Sequence, residues 1–418
     1  MPLNVVVVGA GIAGLAAATS LRQAGHRAVI LEKHGVSNVV GAAINVTPNG
    51  SRVLARLGFD PVRARVCPQH DVHILDGTNL CQLSSTPLGG NFSVHRADLN
   101  EELLRVATMD APGDQDNVSS SSSSWGPPVE IRVGCEVRCA SEDGMGVLLE
   151  SGEEVRGDLV VGADGVHSVI KHYVVGQGVG KASFTGIAAF RFLLDSDAVR
   201  ADEELALWKD MDVINLLADA AETVKERHMI SYSCHGGELL NFVGIHPSTE
   251  TAIEDGTEEL KEAMKIEFSH FDPKVQRIIA LSNHIKRWPL FNHDPLSTWV
   301  RGRVVLIGDA AHPMLPFGGQ GAAQGMEDGA ALGVLLKNQR GNDVGVDNAL
   351  SLFDAIRKNR VARVQILSSV RAGRESKVAD KLVPYLDETV PKAPMSLAEH
   401  LAHDASYDVY AACERSLQ

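Results

Sequence analysis

Four consecutive valines, Val5 to Val8, run directly into Gly9-Ala10-Gly11-Ile12-Ala13-Gly14, and this junction limits the fold more than any other part of the chain. An alanine-rich helix over 15–22 follows, then a strand over 28–31 that ends at Glu32, 18 residues beyond Gly14. Strand, Gly-x-Gly-x-x-Gly turn, helix and a second strand closed by an acid make up a βαβ unit that holds a dinucleotide. Gly9 allows the tight turn, Gly11 lets backbone approach a pyrophosphate, and Gly14 lets helix and strand pack closely. The pyrophosphate would rest on the helix N-terminus, where free N–H groups and the dipole favour anions. Glu32 would hold the ribose hydroxyls.

A chain of 418 residues can hold two or three domains with ample core. Its net charge of −14 argues against nucleic acid or anionic membrane as a partner. No basic segment precedes the first strand, and no run of about 20 apolar residues occurs, so neither a signal peptide nor a membrane span is expected. Cys67, Cys81, Cys135, Cys139, Cys234 and Cys413 lack metal-ligand spacing. Cys135 and Cys139 fall on or just past a strand over 129–137, about 13 Å apart, too far for a disulfide. These features predict a cytoplasmic protein with reduced thiols and no metal.

Residues 111–128, with six serines from Ser119 to Ser124, break the pattern and read as a surface loop after a helix over 99–107. Apolar strands over 158–162 and 303–308 lead into Asp164-Gly165 and Gly308-Asp309-Ala310-Ala311-His312. The nucleotide domain is therefore expected in three pieces, 1–70, 96–180 and 286–370. A substrate domain is expected over 71–95 and 181–285, mostly antiparallel, with strands at 187–194, 229–234 and 239–245. A helical segment, 371–418, ends the chain. Residues 347–373 have helical periodicity, and their basic face (Arg357, Lys358, Arg360, Arg363) reads as solvated.

The third motif continues Pro313-Met314-Leu315-Pro316-Phe317-Gly318-Gly319-Gln320-Gly321-Ala322, then Glu327-Asp328. The three motifs in this order resemble the single-component FAD-dependent aromatic hydroxylases, nearest to salicylate-hydroxylase-like enzymes and fungal phenol-dearomatising monooxygenases. The resemblance covers about 1–370. It implies an α/β fold: a discontinuous Rossmann-like FAD-binding domain, an inserted antiparallel substrate sheet and a helical tail. Asp309 would accept hydrogen bonds from the ribityl chain. The glycine turn at Gly319 and Gly321 would bring backbone to the ring, and the helix opening at Ala322 would stabilise negative charge on reduced flavin. By the same resemblance Ala42 and Ala43 lie along the flavin, Arg96 reaches the ribityl or phosphate region, and Asp164 is linked to both FAD and NADPH. His312 reads as a structural hydrogen-bonder.

No second Gly-x-Gly-x-x-Gly exists, which fits a family in which NADPH binds transiently. The resemblance implies that reduced FAD adds O₂ to form a C4a-hydroperoxide, whose distal oxygen attacks an aromatic substrate. A cation or donor beside a phenol would favour the reactive phenolate. Arg191, a charge within an apolar strand, and Tyr232, on the next strand, match residues that hold the phenolate in fungal relatives; Arg191 could equally bind a substrate carboxylate. Epoxidation of an indole or alkene, and an O₂-independent flavin dehydrogenase or reductase, are the rival activities. A monomer or homodimer is expected.

Overall fold

The computed structural model describes residues 1–35, 43–111, 125–219, 226–252, 254–339, 343–371, 373–386, 388, 390 and 392–418. Ala42 and the run Ser119–Ser124 lie outside the described residues. β1 (Asn4–Val8) pairs in parallel with β2 (Arg27–Glu32) on one side and β10 (Leu159–Gly162) on the other. β6 (Glu130–Val133) extends the sheet beyond β2, and β18 (Val304–Leu306) beyond β10, again in parallel. The antiparallel β17 (Val300–Arg301) closes that edge. The valine run is buried because both sheet faces are covered. α1 (Ile12–Gln23) and α8 (Gly321–Leu336) pack against each other, with α2 (Pro48–Leu57) on α8 and α3 (Arg96–Thr108) on α1. Their approach depends on glycines four residues apart: a Cβ at Gly325 would lie 2.9 Å from Ala13 Cβ, and one at Gly329 2.6 Å from Ala17 N.

The second sheet has nine strands in the order β15-β16-β11-β14-β13-β12-β4-β5-β3. They are β3 (Ala43–Val46), β4 (Cys67–Asp76), β5 (Gln82–His95), β11 (Ser183–Asp195), β12 (Val213–Ala218), β13 (His228–Cys234), β14 (Leu239–Pro247), β15 (Glu254–Asp255) and β16 (Lys286–Asn292). Every neighbouring pair is antiparallel except β12 with β4. One face carries Phe190, Phe192, Phe242 and Met229 into a core with Trp208, α6 (Glu258–Glu267) and α7 (Pro273–Leu281). The alternate residues, Ala189, Arg191 and Leu193, take the other face. This sheet takes in β3, the start of β4 and β16, which the sequence reading leaves with the nucleotide-binding pieces. Hydrophobic patterning shows a strand's period and says nothing of its partner, and β3 is recruited by β5.

A small sheet of β7 (Val137–Ala140), β8 (Gly146–Leu149) and β9 (Glu154–Arg156) stands apart. The strand expected over 129–137 is thus two: β6 stops at Val133, Gly134 takes φ +71°, and β7 joins the small sheet. Cys135 falls in the turn between them, Cys139 on β7, and all six cysteines are free. Short helices α4 (Lys171–Val175) and α5 (Ser196–Arg200) punctuate the middle of the chain, and α9 (Asp343–Leu367), α10 (Ala379–Leu382), α11 (Leu397–Ala405) and α12 (Val409–Ser416) end it. Among the described residues, no helix is long and apolar enough to cross a membrane, and no group of three His, Cys, Asp or Glu could hold a metal.

Candidate functional site

The three glycines of the first turn have different surroundings. At Gly9 (φ +102°) a Cβ would meet Ala163 O at 2.5 Å, and at Gly14 it would meet Gly9 O at 2.0 Å. At Gly11 nothing lies within 4 Å. Two glycines therefore serve packing, and the third leaves backbone open to a ligand. Gly11 is also the N-cap of α1 and offers no side-chain cap, so the first amides of the helix stay free for an anion. Glu32 has a role the motif does not reveal: Oε2 accepts from Ala10 N at 2.8 Å and Oε1 from His34 N at 2.9 Å. The acid shapes the turn it faces.

Asp309 follows β18. Gly308 takes φ +57° there, with its missing Cβ 2.7 Å from Ala13 Cβ. Solvent reaches the Asp309 carboxylate, yet protein surrounds its recess; lost hydration pushes its pKa up, while His312 and then Arg96 pull it down. Arg96, the first residue of α3, is exposed and has no hydrogen-bond or ion-pair partner among the described residues. Its neighbour Asp98 is taken by His235, at 2.6 Å. Asp164 uses Oδ2 to accept from Val169 N (2.8 Å) and Ile170 N (3.2 Å), while Oδ1 is buried with no described partner. Burial raises its pKa, against the pull of the nearby Ser168 hydroxyl and of those two amides.

Gly319 (φ +62°) and Gly321 both have open space where a Cβ would stand, and no side chain caps α8, whose second residue is Ala322. Across from this turn, Ala43 is held at both backbone atoms. Its N–H donates to Asn241 Oδ1 at 3.2 Å, and its carbonyl accepts from Tyr232 Oη at 2.9 Å. Tyr232 and Asn241 are register partners on β13 and β14, so the substrate sheet positions β3 directly.

On that sheet face, Phe317 packs with Ala189, Val243 and Ile245, and its ring lies 5.2 Å from that of His228. Ala43 packs with Tyr232, Ile214 and Val72. Arg191 sits on this face, half-buried, with its Nε buried and lacking a described acceptor. Burial lowers its pKa, the neighbouring Tyr232 opposes this and Arg96 reinforces it. A guanidinium this short of counter-charge is prepared for an anion. Burial keeps the Tyr232 phenol neutral well past its ordinary range, Arg191 pulling the other way and Cys234 adding a little. Its proton is committed to Ala43, so its oxygen is left to accept.

Behind the glycine turn lies a cluster the sequence reading misplaces. Arg357, Arg360 and Arg363 are at most 5% exposed, so the basic face of α9 is buried and not solvated. Arg357 ion-pairs with Glu327, donates from Nε to Asp328 Oδ1 at 2.9 Å and from Nη2 to Gln324 Oε1 at 2.8 Å. Asp328 also accepts from Gly308 N (3.0 Å) and bonds His312 Nε2 (2.6 Å), placing His312 as a structural partner. Asn49 Nδ2 reaches Glu327 at 2.7 Å, and Gln320 ties to Thr47 at 3.0 Å. Two adjacent acids in an otherwise apolar helix were the signal in the sequence, since buried carboxylates demand cations.

Open backbone at Gly11, Gly319 and Gly321, uncapped helix ends, the unpartnered Arg96, and free acceptors on Asp164 and Asp309 together fit a long, anionic, hydroxyl-bearing cofactor such as FAD. Residues 2–365 match the family described as FAD binding domain. The FAD-dependent monooxygenase cfoG of Aspergillus candidus is 33% identical over 428 residues, covering 97% of this chain and 93% of that protein. Hispidin-3-hydroxylase of Neonothopanus nambi is 30% identical over 386 residues, 86% of each. A salicylate hydroxylase substrate complex shares the fold, with a TM-score of 0.73 at 22% identity over 99% of this chain and 97% of that one.

Proposed function

Because the chain belongs to the FAD binding domain family and is an FAD-dependent monooxygenase of the aromatic hydroxylase type, we propose that it hydroxylates or oxidatively dearomatises a phenolic small molecule. NAD(P)H would supply two electrons and O₂ one oxygen atom; for hydroxylation, the second oxygen leaves as water. Bound FAD supplies the electron transfer and oxygen activation. The chain's own residues do the rest. The α1 N-terminus and Gly11 hold the pyrophosphate, Glu32 fixes the turn around it, Asp309 accepts from the ribityl hydroxyls, and Arg96 adds a cation. Asp164, with its free Oδ1, serves both FAD and the visiting NADPH. The backbone at Gly319, Gly321 and Ala322 would hold the flavin ring, where the free amides of the α8 N-terminus would stabilise negative charge.

Arg191 carries the substrate side of this reading. Its unmatched guanidinium, beside Tyr232 on the face that meets Ala43 and Phe317, would draw the phenol into its ionised form and raise the electron density of the ring. Tyr232 acts mainly through Ala43. The name of the relative hispidin-3-hydroxylase supports hydroxylation of an organic small molecule.

The test is NADPH oxidation in air by the FAD-loaded protein, with a panel of phenols, phenolic acids and indoles, and product mass. Stimulation by phenols with one oxygen gained is expected. Arg191→Ala should keep FAD and lose turnover by at least about a hundredfold, the scale of one lost charged contact in a closed site. Undiminished turnover in that variant would remove Arg191 from the reaction.

A further inference from the structure

We propose that the groove between β5 and α11 receives an apolar substituent of the substrate. The substrate is then an amphipathic phenol, its oxygen at Arg191 and its tail under the C-terminal helix; the inference rests on the reading of Arg191 given above. Ser396 caps α11, its Oγ accepting from Glu399 N at 3.3 Å. Leu397 and Leu401, four residues apart, therefore share one helix face. Both pack on the apolar cluster of Ala43, Tyr232, Ile214 and Leu88, yet both remain only half-buried, as residues beside open space do. Next to them is a cavity of about 300 Å³ whose lining includes Pro48, Pro87, Leu88, Leu401 and Ala405 and no charged side chain. Leu88 and Leu401 belong to both the cavity and the cluster that contains Tyr232, so the groove borders the apolar wall behind that residue.

The groove is preformed. Arg52 Nη2 donates to the carbonyls of Ala405 (2.5 Å) and Tyr407 (2.6 Å). Arg360 donates to Asp404 O at 3.2 Å and stacks on the Tyr407 ring at 3.7 Å. A held helix binds without an ordering cost. The volume suits a short alkyl chain or a second ring, and each buried methylene should tighten binding about three- to fourfold.

The experiment is calorimetric titration of the FAD-loaded protein with 4-alkylphenols from methyl to octyl. Affinity should climb about threefold per methylene until the groove fills. Leu401→Trp should abolish that climb; Ala405→Leu, a smaller intrusion on the same wall, should blunt it even if the first variant does not fold. Arg191→Ala should weaken every member and keep the slope. A flat series in the wild type, no binding at all, or a slope that survives both groove variants overturns the proposal. An intact slope that the groove variants remove, with no effect of Arg191→Ala, overturns only the reading of Arg191.

Discussion

Arg357→Met is the sharpest perturbation of the cofactor side. Methionine keeps most of the length and removes the charge. Two carboxylates with no exposed surface, Glu327 and Asp328, then lose their main cation. Breaking one side of a buried pair costs about 3–5 kcal/mol. For a chain of this size, that is a fall in melting temperature on the order of 5 °C. The loss has a pH signature. Burial alone would raise the Asp328 pKa, but His312 and Arg357 reverse this and hold it below the ordinary carboxylate value. In the wild type its stabilisation is present above the unfolded pKa and is lost as pH falls through the lower folded one. Without Arg357, His312 and the Gly308 amide still oppose burial, so the folded pKa moves up toward the unfolded value and the stabilisation gained above that value shrinks. Melting followed by circular dichroism at pH 3, 4, 5 and 7 should show the gap between variant and wild type widening as pH rises through the carboxylate range. A gap that is constant with pH, or an equal one from Arg360→Met, would refute this account of the cluster.

Gly11→Ala should weaken FAD binding with the melting temperature of the FAD-free protein nearly unchanged, whereas Gly14→Ala should unfold or fail to express, because only its Cβ meets backbone, at 2.0 Å; flavin retention on gel filtration and expression level separate the two. Tyr232→Phe leaves the Ala43 carbonyl without its donor, at a cost of about 1–3 kcal/mol, and should raise the Kd for FAD several-fold; an effect on phenol KM alone would instead place the hydroxyl on the substrate. Burial raises the Glu226 carboxyl, but His228 and Arg371 bring it down to about 2, so its stabilisation is complete above about pH 4.5 and is lost as pH falls toward 2. Glu226→Gln should therefore flatten the acid limb of a stability–pH curve, read by urea unfolding between pH 5 and 3.

What could be read from the sequence follows from how far apart the partners lie. Gly9, Gly11, Gly14 and Glu32 form one βαβ unit, and Asp309 to Ala322 form one strand–turn–helix; short-range chemistry writes such pieces into contiguous residues. Arg191 was visible as a charge in an apolar strand. Asn241, which holds Ala43 from 198 residues away, had no signature, because an asparagine in a strand carries no mark of its partner. The basic face of α9 was misread for a related reason. Helical periodicity separates charged from apolar residues but cannot tell solvent from a buried pair of acids 29 to 30 residues earlier.

The interlock of α1 and α8 also dictates an order of assembly. The Gly-x-Gly-x-x-Gly βαβ unit leaves the ribosome first, yet the glycine stripe that covers it is made about 310 residues later. β18, which extends the first sheet, is also among the late parts. Until then the nascent N-terminal third carries an uncovered alanine-rich helix face and unpaired strand edges, the features that invite aggregation. The nine-stranded sheet gains its last strand, β16, at Asn292, and β18 ends the first sheet at Leu306, so neither sheet is complete until most of the chain has been made. Such long sequence separations predict slow folding, and a recombinant yield that improves at low temperature or with added chaperones.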